Sequence, residues 1–189
     1  MKLNADQKNE VFSLVKQTIL YGLSGEPPLE VTSDDEALNQ PGACFVTLTL
    51  NKQLRGCIGS LQAHEPLIQD IANNAFKAAF QDPRFPPLTE DESEELDIEI
   101  SILTTPEPMM GCESKQALLE QLVPFEDGLV LSDERHRATY LPSVWKQLPD
   151  KEAFVDSLML KAGMSHWSGT MQCERYYVEA YEAFWSDIE

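Results

Sequence analysis

Apolar side chains recur at helical spacing near the start of the chain. Val11, Leu14, Val15 and Ile19 predict an amphipathic helix over residues 5–21, with Gly22 where a C-terminal cap belongs. Residues 23–42 are rich in turn formers and acids and read as a long, partly irregular connection. The pattern then changes. Ala43–Leu50 (ACFVTLTL) has the β-branched and aromatic content of a buried strand, Asn51-Lys52-Gln53 is short enough for a hairpin turn, and Leu54–Ser60 is the returning strand. Pro66 suits the first turn of a helix running to about Phe80. Its Leu67, Ile71, Ala75, Ala78 and Ala79 make a narrow face of small residues suited to close packing on a sheet. Asp82-Pro83 ends that helix.

Leu96–Leu103 (LDIEISIL) alternates cleanly, with Leu96, Ile98, Ile100 and Ile102 on one face and Asp97, Glu99 and Ser101 on the other. Further on, the pattern predicts a helix over Ser114–Leu122 and a strand over Gly128–Ser132. A turn at Arg135-His136-Arg137 leads into Ala138–Leu141. Asp150 caps a helix carrying Phe154, Leu158 and Ala162 and closed by Gly163. Gln172–Trp185 reads as one long aromatic strand. Interleaved helices and strands with a hairpin fit an α+β fold, its sheet mixed or antiparallel, better than a doubly wound parallel one.

The length of 189 residues suits a single domain over residues 1–189, or one domain with a small subdomain. Fourteen basic residues stand against 32 acidic ones, a net charge of −18. So negative a surface repels phosphate backbones and anionic lipid, which argues against general nucleic-acid binding and favours basic partner surfaces. Cys44, Cys57, Cys112 and Cys173 are scattered, with no C-x-x-C and no zinc-like spacing. The start, MKLNADQKNEVF, lacks the apolar stretch of a signal peptide, and no apolar run reaches the ~20 residues of a membrane span. A cytoplasmic setting with free thiols is expected.

The candidate chemistry gathers on Leu54–Gly59 (LRGCIG). Strand alternation places Leu54, Gly56 and Ile58 on one face, where Leu54 and Ile58 anchor the core, and Arg55, Cys57 and Gly59 on the other. A guanidinium beside a thiol favours the nucleophilic thiolate. Gly56 and Gly59 let another backbone or a ligand approach closely. The plain alternative is that Cys57 is a small buried hydrophobe and the glycines mark a bulge or a tight crossing.

Other residues carry a similar double reading. Arg84, in the stiff loop Asp82–Pro87 (DPRFPP), either binds a carboxylate or phosphate or pairs with Asp82 to fix its own loop. Glu99 is either solvated or buried against Arg55 or Arg84, where it would orient Arg55 or act as a base. His64 follows the strand closely enough to form a Cys–His pair with Cys57, although a solvent-facing histidine is commoner. No cluster has metal-ligand spacing. The acids of Glu90–Glu95 read as a solvated surface, and Gly56–Gly59 matches the G-x-x-G loop of RNA-binding KH domains only formally.

LRGCIGS, AFKAAFQDPRFPPL and LDIEISIL, followed by DGLVL, YLPSVW and KAGM with Trp167, closely resemble the AMMECR domain family over roughly residues 40–170. That family is also called AmmeMemoRadiSam system protein A. The resemblance implies an α+β fold of two intertwined parts, with LRGCIG near a cleft between them. It also implies association with a Memo-like protein and a radical-SAM protein. It defines neither a reaction nor a cofactor. Two readings are therefore carried forward: an enzyme or enzyme component with Cys57 as nucleophile or redox thiol supported by Arg55, and a non-catalytic adaptor that binds a peptide or small ligand at the same place. The arginines suit a small acidic metabolite or a modified side chain.

Overall fold

The computed structural model describes residues 2–189. The chain divides into two compact units, one made of residues 1–103 and 179–189, the other of residues 104–178. The first unit is thus assembled from two stretches that flank the second in sequence.

In the first unit, α1 (Ala5–Leu23) starts at a capping box in which Asn4 and Gln7 satisfy each other's backbone N–H. It runs past Gly22, which lies inside the helix and not at its cap. A Cβ there would sit 2.1 Å from the Phe80 ring, so close packing accounts for this glycine. After the irregular connection come β1 (Pro41–Gly42), β2 (Cys44–Leu50), β3 (Gln53–Gly59) and β4 (Glu65–Pro66). β2 and β3 form a hairpin whose two turn residues, Asn51 and Lys52, both have positive φ, as a tight turn between twisted strands requires.

Next come α2 (Leu67–Phe80), a single turn α3 (Glu90–Ser93) and β5 (Leu96–Leu103). The strand β10 (Val178–Phe184) returns to complete a four-stranded sheet in the order β10-β5-β2-β3. Cys44, Val46 and Leu48 of β2 and Leu96, Ile98, Ile100 and Ile102 of β5 form one core with the inner faces of α1 and α2. The small face of α2 is buried as its spacing predicts. Asp70 of α2 fastens the start of the hairpin by accepting from the Cys44 N–H at 2.8 Å and from the Ser60 hydroxyl.

In the second unit, β6 (Glu107–Pro108), α4 (Lys115–Gln121), β7 (Gly128–Ser132), β8 (Arg137–Tyr140), α5 (Lys151–Ala162) and β9 (Gln172–Tyr176) enclose a separate core. Its sheet order is β6-β9-β7-β8. Trp145 stacks flat on Phe154 with ring centroids 3.6 Å apart, and its indole N–H donates to the Asp127 carbonyl. Trp145 is therefore core, as its apolar surroundings suggest.

The expected single strand over residues 172–185 is two. β9 and β10 belong to different sheets, and the chain changes unit at the break. Thr104 and Tyr177 hold that point by two hydrogen bonds, Thr104 N–H to the Tyr177 carbonyl and Tyr177 N–H to the Thr104 hydroxyl. Alternating aromatics carry no mark of such a switch, because both halves are genuine strands.

Candidate functional site

Seven residues, Gln53–Gly59, form the strand that carries the candidate chemistry, and it lies at the edge of its sheet. Its register against β2 slips by one residue. Leu48 faces Gly56 and Thr49 faces Leu54, which leaves Arg55 as the extra residue of a β-bulge. The slip breaks the alternation on which the pairing of Arg55 with Cys57 depends. Leu54 and Cys57 now lie opposite Thr49 and Thr47, on the face of β2 that points away from the helices. Leu54 is 43% exposed and anchors no core.

Arg55 turns elsewhere and is only 8% exposed. Its guanidinium grips Glu92 of α3 with two bonds, Nε to Oε1 at 2.8 Å and Nη2 to Oε2 at 3.0 Å, and also donates to the Pro87 carbonyl at 3.3 Å. The Arg55 bond is the main reason the Glu92 carboxyl falls to about 2; Thr89 adds to it. Arg55 is thus a bolt between the hairpin and the loop that follows α2, and it does not support the Cys57 thiol. The acids of Glu90–Glu95 are correspondingly more than a solvated run: Glu92 closes a capping box with Thr89 while it holds Arg55.

The loop Asp82–Pro87 takes the place of a neighbouring strand. Cys57 donates its N–H to Asp82 Oδ2 at 2.9 Å and accepts at its carbonyl from Arg84 Nη2 at 3.0 Å. Both outward backbone groups of the edge strand are therefore satisfied by one ion pair, which blocks pairing with another chain at that position. Asp82 and Arg84 meet at 2.7 and 2.9 Å, and the Arg84 N–H adds a third bond to the same carboxylate. Arg84 lies beside Asp82 as the loop-fixing alternative has it. Phe85 is positioned between the two cations, its ring centroid 6.0 Å from the Arg55 guanidinium carbon and 5.5 Å from that of Arg84. Asp82 is held well below the usual carboxylate range, first by its bond to Arg84. Arg84 is held above its ordinary value, again chiefly by Asp82, and the Cys57 sulfur lies near enough to add to the effect. Arg84, not Arg55, is the guanidinium near the thiol.

Both glycines of the strand meet protein and leave no space for a ligand. A Cβ on Gly56 would lie 2.1 Å from the Ala78 carbonyl oxygen of α2, and one on Gly59 would lie 2.2 Å from the Phe45 ring. His64 is exposed after the strand, and among the described residues no hydrogen bond joins it to Cys57. Glu99 forms no ion pair with Arg55 or Arg84, since both are engaged elsewhere; its Oε1 accepts from the Ser101 hydroxyl at 2.9 Å.

Another group of residues shares the face with Cys57. The thiol is half-buried and accepts a bond from the Thr47 hydroxyl at 3.3 Å. Thr47 in turn faces Glu99 on β5, so Glu99, Thr47 and Cys57 form one row across three strands. Beside this row is a hollow of about 620 Å³. Thr47, Thr49, Asp97, Glu99 and Phe184 line it, with Lys52, Glu182 and Asp187. Sequence reasoning placed Glu99 correctly on the polar face of its strand but missed Thr47 and Thr49. The alternation of ACFVTLTL already puts both threonines opposite the core. Only the hairpin register, which the bulge sets, puts Thr47 against Cys57 and Thr49 against Leu54. Among the described residues, no three His, Cys, Asp or Glu side chains come together as a metal site, and no helix is long and apolar enough to cross a membrane.

The AMMECR1 family model matches residues 12–181, and the chain belongs to that family. It is 37% identical over 137 residues to the protein MJ0810 of Methanocaldococcus jannaschii, covering 71% of this chain and 68% of that one. A protein of Thermotoga maritima is 31% identical over 171 residues, covering 89% and 92%. Among solved structures, the crystal structure of the uncharacterized protein PH0010 from Pyrococcus horikoshii superposes with a TM-score of 0.79 at 26% identity, covering 96% of this chain and 94% of that one. The α+β architecture expected from the sequence is the one observed.

Proposed function

We propose that the protein handles a small molecule on the outer face of its four-stranded sheet, as an enzyme or enzyme component with Cys57 as the reactive group. One observation carries this reading: the half-buried Cys57 thiol is bonded to Thr47, and Thr47 lines the adjoining hollow. Its volume of about 620 Å³ suits a metabolite-sized ligand. A cytoplasmic setting keeps such a thiol reduced.

The lining also selects the charge of the ligand. Arg55 and Arg84, the residues that suggested an acidic ligand, are spent on Glu92 and Asp82. Four carboxylates remain around the hollow, on Asp97, Glu99, Glu182 and Asp187, against the single ammonium of Lys52. Phe184 offers an exposed aromatic face beside them. Carboxylates with an aromatic wall favour an organic cation. Alkylation of Cys57 by iodoacetamide, followed by mass spectrometry, tests this. Millimolar butylammonium should slow labelling of Cys57, and butyrate should not. Protection by butyrate, or by neither ion, contradicts the reading.

A second reading is favoured by exposed Leu54 and Phe184, which give the same face an apolar component. In that reading the face docks the Memo-like and radical-SAM proteins that the family resemblance implies, and the thiol is incidental. Co-purification with those partners that survives Cys57→Ser, with function intact, selects the adaptor; loss of function with partner binding intact selects the enzyme component.

A further inference from the structure

Cys57 lacks the two activators that its sequence neighbourhood suggests. His64 does not bond to it, and the Arg55 guanidinium is locked onto Glu92. A proton on the sulfur must therefore leave by another route if the thiol is to act as a nucleophile. The strand register supplies one.

Thr47 is opposite Cys57 on one side and Glu99 on the other. The backbone N–H and C=O of Cys57 both point outward to Asp82 and Arg84, so Thr47 and Cys57 form a non-hydrogen-bonded pair, the type in which side chains come closest. That geometry brings Oγ1 to 3.3 Å from Sγ. On the other side, Glu99 Oε1 accepts from the Ser101 hydroxyl in the structure, but directly opposed residues have Cβ atoms about 4.5–5.5 Å apart, so rotation of the glutamate side chain carries its carboxylate to the Thr47 hydroxyl. A hydroxyl donates one hydrogen bond while accepting another, so Thr47 can pass a proton in either direction.

Resting on the reading of Cys57 as the reactive group, we infer that Glu99, Thr47 and Cys57 form a cross-strand proton relay, in which Glu99 is the base and Thr47 the connecting hydroxyl. The S–H bond of Cys57 breaks, and its proton moves to Thr47 Oγ1 as the Thr47 proton moves to the Glu99 carboxylate. Charge is conserved: Glu99 becomes neutral and the sulfur becomes a thiolate, which then accepts from the Thr47 O–H. The 3.3 Å separation of Thr47 Oγ1 and Cys57 Sγ permits this arrangement. No oxidant, metal or cofactor is needed.

The relay works among other charges on the same face. Asp97 shares β5 with Glu99, Glu182 and Asp187 line the hollow from the C-terminal segment, Lys52 stands at the hairpin turn, and Arg84 approaches from the loop beyond the strand.

The test is the second-order rate of iodoacetamide alkylation at Cys57, resolved by mass spectrometry, in the wild type and in Thr47→Val, Thr47→Ser and Glu99→Gln. Valine keeps the shape of threonine without its hydroxyl, and serine keeps the hydroxyl. At pH 7, Thr47→Val and Glu99→Gln should react at least about five-fold more slowly than wild type, a conservative figure for the loss of a positioned base. Thr47→Ser should stay within about two-fold of wild type, because the relay group is retained. At pH 10 hydroxide removes the proton unaided, and all four proteins should agree. Equal rates at pH 7 for wild type and Thr47→Val overturn the relay, as do differences of the same size at both pH values, which report access to the sulfur. These outcomes are separate from ligand protection: the relay can hold where butylammonium gives none, and protection can occur where the relay fails.

Discussion

Substitution of Gly56 by alanine is expected to destabilise the folded protein by roughly 3 kcal/mol, at the upper end of what overpacking a core costs. The reason is the nature of the obstacle. The new Cβ would lie 2.1 Å from the Ala78 carbonyl oxygen and 3.0 Å from its carbonyl carbon, both backbone atoms of α2. A side chain could rotate away, but here the helix itself must retreat from the sheet. In doing so it would open the contact that Ala75, Ala78 and Ala79 close against the hairpin. For a chain of this size, such a loss lowers Tm by roughly 10 °C. Gly169→Ala is the matched control. A Cβ there meets nothing within 4 Å, and its effect should stay within about 0.5 kcal/mol. Thermal unfolding of the two variants side by side decides the matter, and equal midpoints would contradict the close approach of α2 to the strand.

Asp82→Ala should cost about 2–3 kcal/mol, less than the full price of breaking a buried ion pair, because the Arg84 side chain is 52% exposed and water takes up its charge. The aspartate side chain is itself only 2% exposed and accepts from the Cys57 N–H as well as from Arg84, so its removal also frees the edge of the sheet. Acid should reproduce the effect in the wild type. Asp82 and Glu92 both have folded values below the unfolded carboxyl values of about 4, the first through Arg84 and the second, at about 2, through Arg55. Their stabilisation is therefore complete above about pH 5 and is lost as the pH falls through about 4 towards 2. Denaturant titrations between pH 6 and pH 2 should show this loss in the wild type and a shallower one in Asp82→Ala. Parallel curves would mean that the carboxylate carries no such load.

The architecture was largely legible because it follows from periodicity. Leu96–Leu103 alternates without interruption and is a strand with one buried face, and the small residues of Leu67–Phe80 do pack closely on the sheet. What the sequence concealed is local or topological. An extra residue at Arg55 reverses the faces of the positions before it, and nothing in LRGCIG distinguishes a bulged strand from a regular one. Residues 172–185 keep the character of a strand while changing sheet at Tyr177, where the constraint comes from Thr104, far away in the chain. At the candidate site, Cys57 and Glu99 were recognisable from residue type and strand phase. Their link through Thr47 was not, because it depends on two strand registers at once. Arg55 and Arg84 attracted functional readings since guanidinium groups suit anions. Their internal partners Glu92 and Asp82 become evident only when the loop after α2 folds back over the strand edge.

The proposed site requires the sulfur of Cys57 to be reachable on the outer sheet face while the other three thiols are enclosed, Cys44 in the first core and Cys112 and Cys173 in the second. Burial pushes the Cys44 thiol up, and burial with its neighbour Cys112 does the same for Cys173, so neither is disposed to react. The direct measurement is timed alkylation of the native protein at pH 7, with each cysteine quantified by mass spectrometry and an unfolded sample as reference. Cys57 should be modified first, with Cys44, Cys112 and Cys173 protected until the protein unfolds. Should Cys57 stay as unreactive as those three, the open face would hold no usable thiol, and the proposed site would fall with it.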